Sequence, residues 1–213
     1  MVTAIVLAGG GSTRMGRPKA LLPDGDGRPF VARLARTFLA AGIEDIVVVT
    51  GASHDAVVEV LKHDHVPVMP RVVRNGDPSR GQLSSLWVGL DAAQRPDLEA
   101  ILMTLVDVPL VRPATVRAVI DAWLGGRPPV ARPAIGERHG HPVLFDRVLF
   151  EELRRAPLDA GAKAVVHAHQ IELVNVAVDD EGCLIDIDTP GDYAVFIERS
   201  KNTGGHTTGA DRT

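Results

Sequence analysis

Leu7-Ala8-Gly9-Gly10-Gly11-Ser12-Thr13-Arg14-Met15-Gly16-Arg17-Pro18-Lys19 is the stretch whose reading decides the fold. It follows an apolar run, Val2 to Leu7, that reads as a buried strand. The strand empties into four glycines, two hydroxyls and three cations. Open α/β sheets build their ligand sites in such loops, outside the carboxyl ends of strands. Glycines let backbone N–H groups approach a phosphate. Arg14 and Lys19 would add the full charges that amides lack. Two familiar glycine loops are excluded. Counting from Gly9, the third glycine of G-x-G-x-x-G is replaced by Arg14. A Walker A loop needs Gly-Lys-Ser/Thr, but Gly16 precedes Arg17-Pro18 and Lys19 precedes Ala20.

Working outward, Phe30, Leu34, Phe38 and Leu39 recur at helical spacing until Gly42, and Ile46 to Val49 is a second buried strand. Strand, loop, helix and strand at this length make a βαβ unit, hence a parallel sheet. The pattern continues with a helix over 55–61, a short strand at 72–73, a helix over 83–93, an apolar strand over 100–106 and a helix over 114–124. From Gly125 prolines at 128, 129, 133 and 142 exclude a long helix. Strands over 130–134 and 141–145 then flank a Gly-Glu-Arg-His-Gly turn. Helices are expected over 147–155 and 160–169, strands over 171–178 and 184–187, and a last helix over 190–198. Ser200 to Thr213 is polar and reads as a disordered tail behind a single domain over residues 1–199.

The totals bound the function. The 213 residues are 45% hydrophobic and only 4% aromatic, so the core is aliphatic. A formal charge of −4 gives no electrostatic reason to expect nucleic acid or an anionic membrane as partner. One cysteine, Cys183, cannot close an internal disulfide, and no apolar run spans a bilayer, so a cytoplasmic setting is expected.

Asp107 closes the apolar strand in Thr104-Leu105-Val106-Asp107-Val108-Pro109, which puts a carboxylate on the same rim as the glycine loop. In Asp186-Ile187-Asp188-Thr189-Pro190, an extended chain would place Asp186 and Asp188 on one face. Either could meet Asp107 across Mg²⁺, a hard cation held by one or two carboxylates plus substrate phosphates. The plainer reading is that Asp or Thr before Pro190 caps a helix. Ser84 or Ser85 could likewise cap the helix that opens at Arg80-Gly81-Gln82.

These strings carry a resemblance. L-A-G-G-x-S-x-R-M-G-x-x-K is similar to the signature of the MobA-like nucleotidyltransferases, which move a nucleoside monophosphate from an NTP to a phosphorylated acceptor. The spacing looks most like that of the molybdenum cofactor cytidylyltransferases. D-x-P after a strand and D-I-D-T-P before a helix also match. The resemblance implies a Rossmann-like, three-layer α/β domain, its mostly parallel sheet covered by helices on both faces, with a small β-hairpin acceptor region after residue 125. It implies triphosphate binding by Leu7, Ala8, Gly9, Gly10, Gly11 and Ser12, catalysis by Arg14, Lys19 and Asp107, and Mg²⁺ on Asp107 and Asp188. Asn75, Gly81, Ser84 and Ser85 resemble the nucleobase-contacting segment of relatives. G-H-P-V-L-F, at 140–145, looks like the acceptor hairpin, where His141 could hold the acceptor phosphate or act in proton exchange near neutral pH. Lys163 stands where relatives carry an arginine in G-D-x-G-A-R. The implied substrates are CTP, or alternatively GTP, and molybdopterin, with a molybdoenzyme as possible recipient. Leu7-Ala8-Gly9-Gly10 leans toward the guanylyl branch, and the downstream strings toward the cytidylyl branch. A sugar or polyol phosphate acceptor, or a nucleotide-binding regulatory or carrier protein without turnover, fits the same scaffold.

Overall fold

The computed structural model describes residues 1–10 and 15–203. Four parallel strands form one half of the sheet: β1 (Val2–Ala8), β2 (Ile46–Thr50), β3 (Arg71–Arg74) and β4 (Ala100–Leu105), in the order β3-β2-β1-β4. Between them run helices α1 (Phe30–Ala40), α2 (His54–His63) and α3 (Gln82–Ala93). Because β2 lies on one side of β1 and β4 on the other, the chain reverses its winding at β1 and β4. Their carboxyl ends therefore diverge into a crevice, the usual ligand position in such sheets.

The central strands are buried and apolar apart from one threonine in each of β1, β2 and β4, because both faces are covered. Along β1, Ala4 and Val6 join one core with α1, α2 and α4 (Pro113–Gly126), while Ile5 and Leu7 join a second with α3. Helix α3 presses closely onto the sheet at Gly89, where an added Cβ would lie 2.6 Å from Ile5 Cγ2.

The second half is less regular. It contains β5 (Val130–Ile135), β6 (Arg138–His139), β7 (Val143–Asp146) and β8 (Val174–Ala177), with α5 (Phe150–Arg155) and α6 (Gly161–Ala168). Strand β7 pairs antiparallel with both β4 and β5, whereas β8 pairs parallel with β5. Both β6 and β7 lie along the same edge of β5, with a bulge at Gly140-His141-Pro142 between them. The expected hairpin thus exists, but it is welded into the main sheet. The strand expected over 141–145 begins two residues later because the bulge takes Pro142, which has no N–H for a ladder.

Two further expectations are corrected. Residues 184–187 do not form a strand. A 3₁₀ turn covers Glu181–Leu184, and the chain then runs irregularly, held by isolated backbone bonds. The last helix, α7 (Pro190–Thr203), continues past Ser200, since Arg199, Lys201 and Asn202 contain nothing that breaks it. Residues 204–213 lie outside the described residues. No described helix is long and apolar enough to cross a membrane.

Candidate active site

A cavity of about 350 Å³ opens between the ends of β1 and β4. Leu7 to Gly10 form one wall and Leu105 to Asp107 another; Lys19 and Asp188 close one part, and Pro78, Gly81, Gln82 and Ser85 another. Gly51 and Gly9 make the rim possible, since a Cβ on Gly51 would lie 2.8 Å from the Gly9 carbonyl oxygen. Gly81 has φ +94°, which favours glycine, and this turn presents the first turn of α3 to the cavity. The positive end of the helix dipole accordingly faces the space.

Lys19 begins a short 3₁₀ turn, Lys19–Leu21, anchored by buried Ala20 and Leu22. Its Nζ lies 2.7 Å from Asp107 Oδ2 and 2.5 Å from Asp188 Oδ1. Burial works against the charged amine, but hydrogen bonds and charges from Asp107 and Asp188 outweigh it and raise the Lys19 pKa. The two carboxylates are brought together by backbone, because Ile187 N–H donates to the Asp107 carbonyl at 2.8 Å. Asp107 Oδ1 is buried and has no hydrogen-bond partner among the described residues.

Asp188 does not cap α7. Thr189 does: its N–H and Oγ1 each donate to Asp192 Oδ2 at 2.8 Å, and Asp192 N–H returns a bond to Thr189 Oγ1 at 3.2 Å. This capping box leaves the Asp188 carboxylate to face Lys19. The signal was present in the sequence as Thr-x-x-Asp around Pro190. Of the two carboxylates flanking Ile187, Asp186 is exposed and absent from the cavity lining, and desolvation and the charges of Asp107 and Asp188 push its pKa up.

Asn75 and Ser84 are buried and do not line the cavity. Asn75 Nδ2 donates to Ser84 Oγ at 2.9 Å and to Ser85 Oγ at 3.0 Å, while its Oδ1 accepts from Asp77 N–H. It is a clasp that fixes the start of α3, and of the two serines only Ser85 reaches the cavity. Neither serine is the helix cap, whose position Gly81 occupies. His141 is likewise absent from the cavity lining. Burial pushes its pKa down, against a backbone hydrogen bond to Met103 and the Asp107 charge. Lys163 is exposed on α6 and does not join the cavity. Gly11, Ser12 and Arg14 fall outside the described residues. Pro78 and Gln82 line the cavity without a signal in the sequence, since nothing local marks a residue that lines a wall made by tertiary contact.

A strand-end carboxylate, a second carboxylate 2.5 Å from the shared lysine and a glycine-walled cavity suit an anionic, phosphorylated ligand. Residues 4–173 match the family described as MobA-like NTP transferase domain. The chain belongs to this family. Among MobA-like relatives, a molybdenum cofactor guanylyltransferase from Rhodobacter capsulatus is 32% identical over 77% of this chain and 83% of its own length. A protein named nicotine blue oxidoreductase, from Paenarthrobacter nicotinovorans, is 33% identical over 88% of this chain and 92% of its own. The crystal structure of Rv0371c from Mycobacterium tuberculosis H37Rv superposes with a TM-score of 0.77 at 34% identity, covering 92% of this chain and 97% of that one. The same protein has been crystallised in complex with manganese.

The site of this MobA-like chain fits a divalent cation. It offers two hard oxygen donors on one lysine, and the second oxygen of Asp107 is unpaired among the described residues. No group of three or more acidic, His or Cys side chains among the described residues forms a metal cage. A cation here would therefore draw further oxygens from substrate, as Mg²⁺ commonly does.

Proposed function

We propose that this chain transfers a nucleoside monophosphate from an NTP to the terminal phosphate of a molybdopterin-type acceptor, with GTP as the preferred donor. The observation that carries the transferase reading is the Lys19–Asp107–Asp188 constellation at the mouth of a glycine-walled crevice. Preference for GTP over the CTP expected from downstream strings rests on the guanylyltransferase named among the relatives and on Leu7-Ala8-Gly9-Gly10.

The glycine wall accepts the triphosphate through backbone N–H groups. Lys19 turns from the carboxylates toward the α-phosphate, where charge builds as the bond breaks. Arg14 lies outside the described residues, and its assignment to the leaving phosphates rests on the family resemblance alone. The acceptor phosphate oxygen attacks the α-phosphorus, the bond to the β-phosphate breaks, and pyrophosphate carries away the electron pair. An anionic acceptor needs positioning rather than deprotonation, so no general base is required. Mg²⁺ or Mn²⁺, held by Asp107 and Asp188, would supply charge neutralisation at the reacting phosphates.

Pyrophosphate release with molybdopterin and each of GTP, CTP, ATP and UTP tests this reading. GTP is expected to give the highest kcat/KM. Release with CTP alone would reverse the base assignment, and release with none would remove the transferase reading. Because one relative is named an oxidoreductase, the assay carries a parallel arm with NADH and NADPH. Nicotinamide oxidation without NTP consumption would favour that chemistry instead.

A further inference from the structure

Arg132 sits in the middle of β5, half-buried, and forms no ion pair among the described residues. Elsewhere Arg28, Arg33, Arg36 and Arg71 each meet a carboxylate within 3.2 Å. The Arg132 Nε donates to Asn175 Oδ1 at 2.9 Å, and neither Nη has a hydrogen-bond partner among the described residues. Burial pushes its pKa down, with no carboxylate to offset it. Taking a charge out of water without a partner is costly, so a guanidinium kept in this state is prepared for an anion. The sheet register gives its position. Met103 pairs with Val143, and Val130 pairs with Phe145. The second register, carried on by two residues, sets Arg132 beside Val143, and on its other side Arg132 pairs with Asn175. Met103, Val143 and Arg132 thus form one row across the sheet, on the face packed by α3 and α6. Leu105, two residues beyond Met103, shares that face and lines the cavity. From the strand that carries this wall, Arg132 is two strand spacings away, roughly 10 Å by ordinary sheet dimensions.

The position decides which substrate this guanidinium serves. In the transferase reading the glycine wall and the first turn of α3 take the NTP, which leaves the acceptor the side of Asp107 toward β7 and β5. The reacting phosphate belongs at the cavity, near Lys19. A group at Arg132 is therefore a second one, remote from the reacting atoms. With Nε engaged by Asn175, the fork of the two Nη groups remains, and such a fork suits an anion that offers two adjacent acceptor atoms. A molybdopterin-type acceptor carries a group of this kind, the enedithiolate, whose two neighbouring sulfurs hold negative charge between the phosphate arm and the pterin ring. We propose that Arg132 is an acceptor-binding residue that holds this enedithiolate, with Asn175 orienting its guanidinium. This rests on reading the chain as a molybdopterin nucleotidyltransferase.

The test is a cycle in which protein and ligand are both varied. Isothermal titration calorimetry without nucleotide measures the affinity of wild type, Arg132→Gln and Arg132→Lys for molybdopterin and for molybdopterin whose two sulfurs are capped as neutral carboxamidomethyl thioethers. Arg132→Gln should weaken molybdopterin binding about tenfold or more, the usual worth of hydrogen bonds to a charged group. Capping the sulfurs should weaken wild-type binding by a similar factor, and Arg132→Gln should lose little further with the capped ligand. Arg132→Lys, which keeps the charge and loses the fork, should fall between. In steady-state pyrophosphate release, Arg132→Gln should raise KM for molybdopterin and leave KM for GTP and kcat unchanged. Its thermal melt should lie at or above that of wild type, because an unpaired charge has been removed. Losses that multiply across the cycle would show that Arg132 and the sulfurs do not meet, and would overturn the assignment. A lower melt with unchanged molybdopterin affinity would also overturn it, in favour of a structural arginine. Wild type that neither binds molybdopterin nor releases pyrophosphate with it would remove the transferase reading itself, and the role of Arg132 with it.

Discussion

The two halves of the sheet position their functional groups by different means. In the β3-β2-β1-β4 half, regular parallel strands covered on both faces deliver Gly9, Gly10 and Asp107 to one rim. In the half built from β5 to β8, position is set by isolated contacts. Gly140 lies so close to Cys183 that an added Cβ would be 2.2 Å from its carbonyl oxygen, and Gly182 stands 2.3 Å in the same sense from the Leu110 carbonyl oxygen. One half repeats a pattern that many aliphatic residues satisfy. The other depends on a few glycines and on single hydrogen bonds, such as that of Ile187 N–H to the Asp107 carbonyl, which brings Asp188 beside Asp107. The first should therefore tolerate substitution with loss of stability alone, whereas the second should lose alignment.

The largest expected effect lies where the halves meet. Asp107→Ala should lower kcat on the order of 10³ or more while circular dichroism stays that of the wild type, because the proposed reaction has the carboxylate act at the reacting phosphates and it takes no part in the apolar core. Near-normal turnover in that variant would separate Asp107 from the chemistry. Next, Gly140→Ala and Gly89→Ala form a matched pair. Both overpack, at a cost of about 1–3 kcal/mol of stability. At Gly89 the nearest atom is a side-chain methyl of Ile5, whereas at Gly140 it is backbone. Thermal melts should show both losses, but only Gly140→Ala should also lower kcat in the folded fraction. Equal kcat in the two would erase the contrast.

A smaller effect is expected from Thr189→Ala, which removes the α7 cap and should cost about 1 kcal/mol. Its sharper readout is Mn²⁺ affinity, since the capping box is what leaves Asp188 facing Lys19. Smallest is the pH dependence at His169. The hydrogen bond to Glu152, 2.7 Å away, raises the His169 pKa above its unfolded value. The contribution is therefore fully present below the unfolded pKa, about 6.5, and is lost as pH rises through the raised folded value. His169→Gln should melt slightly lower than wild type at pH 5.5, and the gap should close in alkaline buffer. A gap that widens with pH would contradict the sign.

Much of the regular half was legible in the sequence because burial on both faces writes itself as apolar runs, and the turn into Gly9 marks where the run must end. The strand-end placement of Asp107 followed from the same logic. The second half was less legible. Leu184 to Ile187 alternates like a strand, but its neighbours offer only single bonds to Asp107 and His141, which no local pattern reports. Asp188 and Thr189 both suit a helix start, and only Asp192 decides between them. Asn75 reads as a binding residue, but its amide is consumed by Ser84 and Ser85, a contact across the loop from β3 to α3.

The most direct test of the transferase reading is to follow GTP labelled at the α-phosphorus with molybdopterin and Mg²⁺, and to identify the labelled product by mass spectrometry. The reading predicts label on a molybdopterin guanine dinucleotide, one pyrophosphate per label transferred, and loss of both in Asp107→Ala. Label that stays in GTP or appears only as GMP, with the CTP arm equally silent, would contradict it.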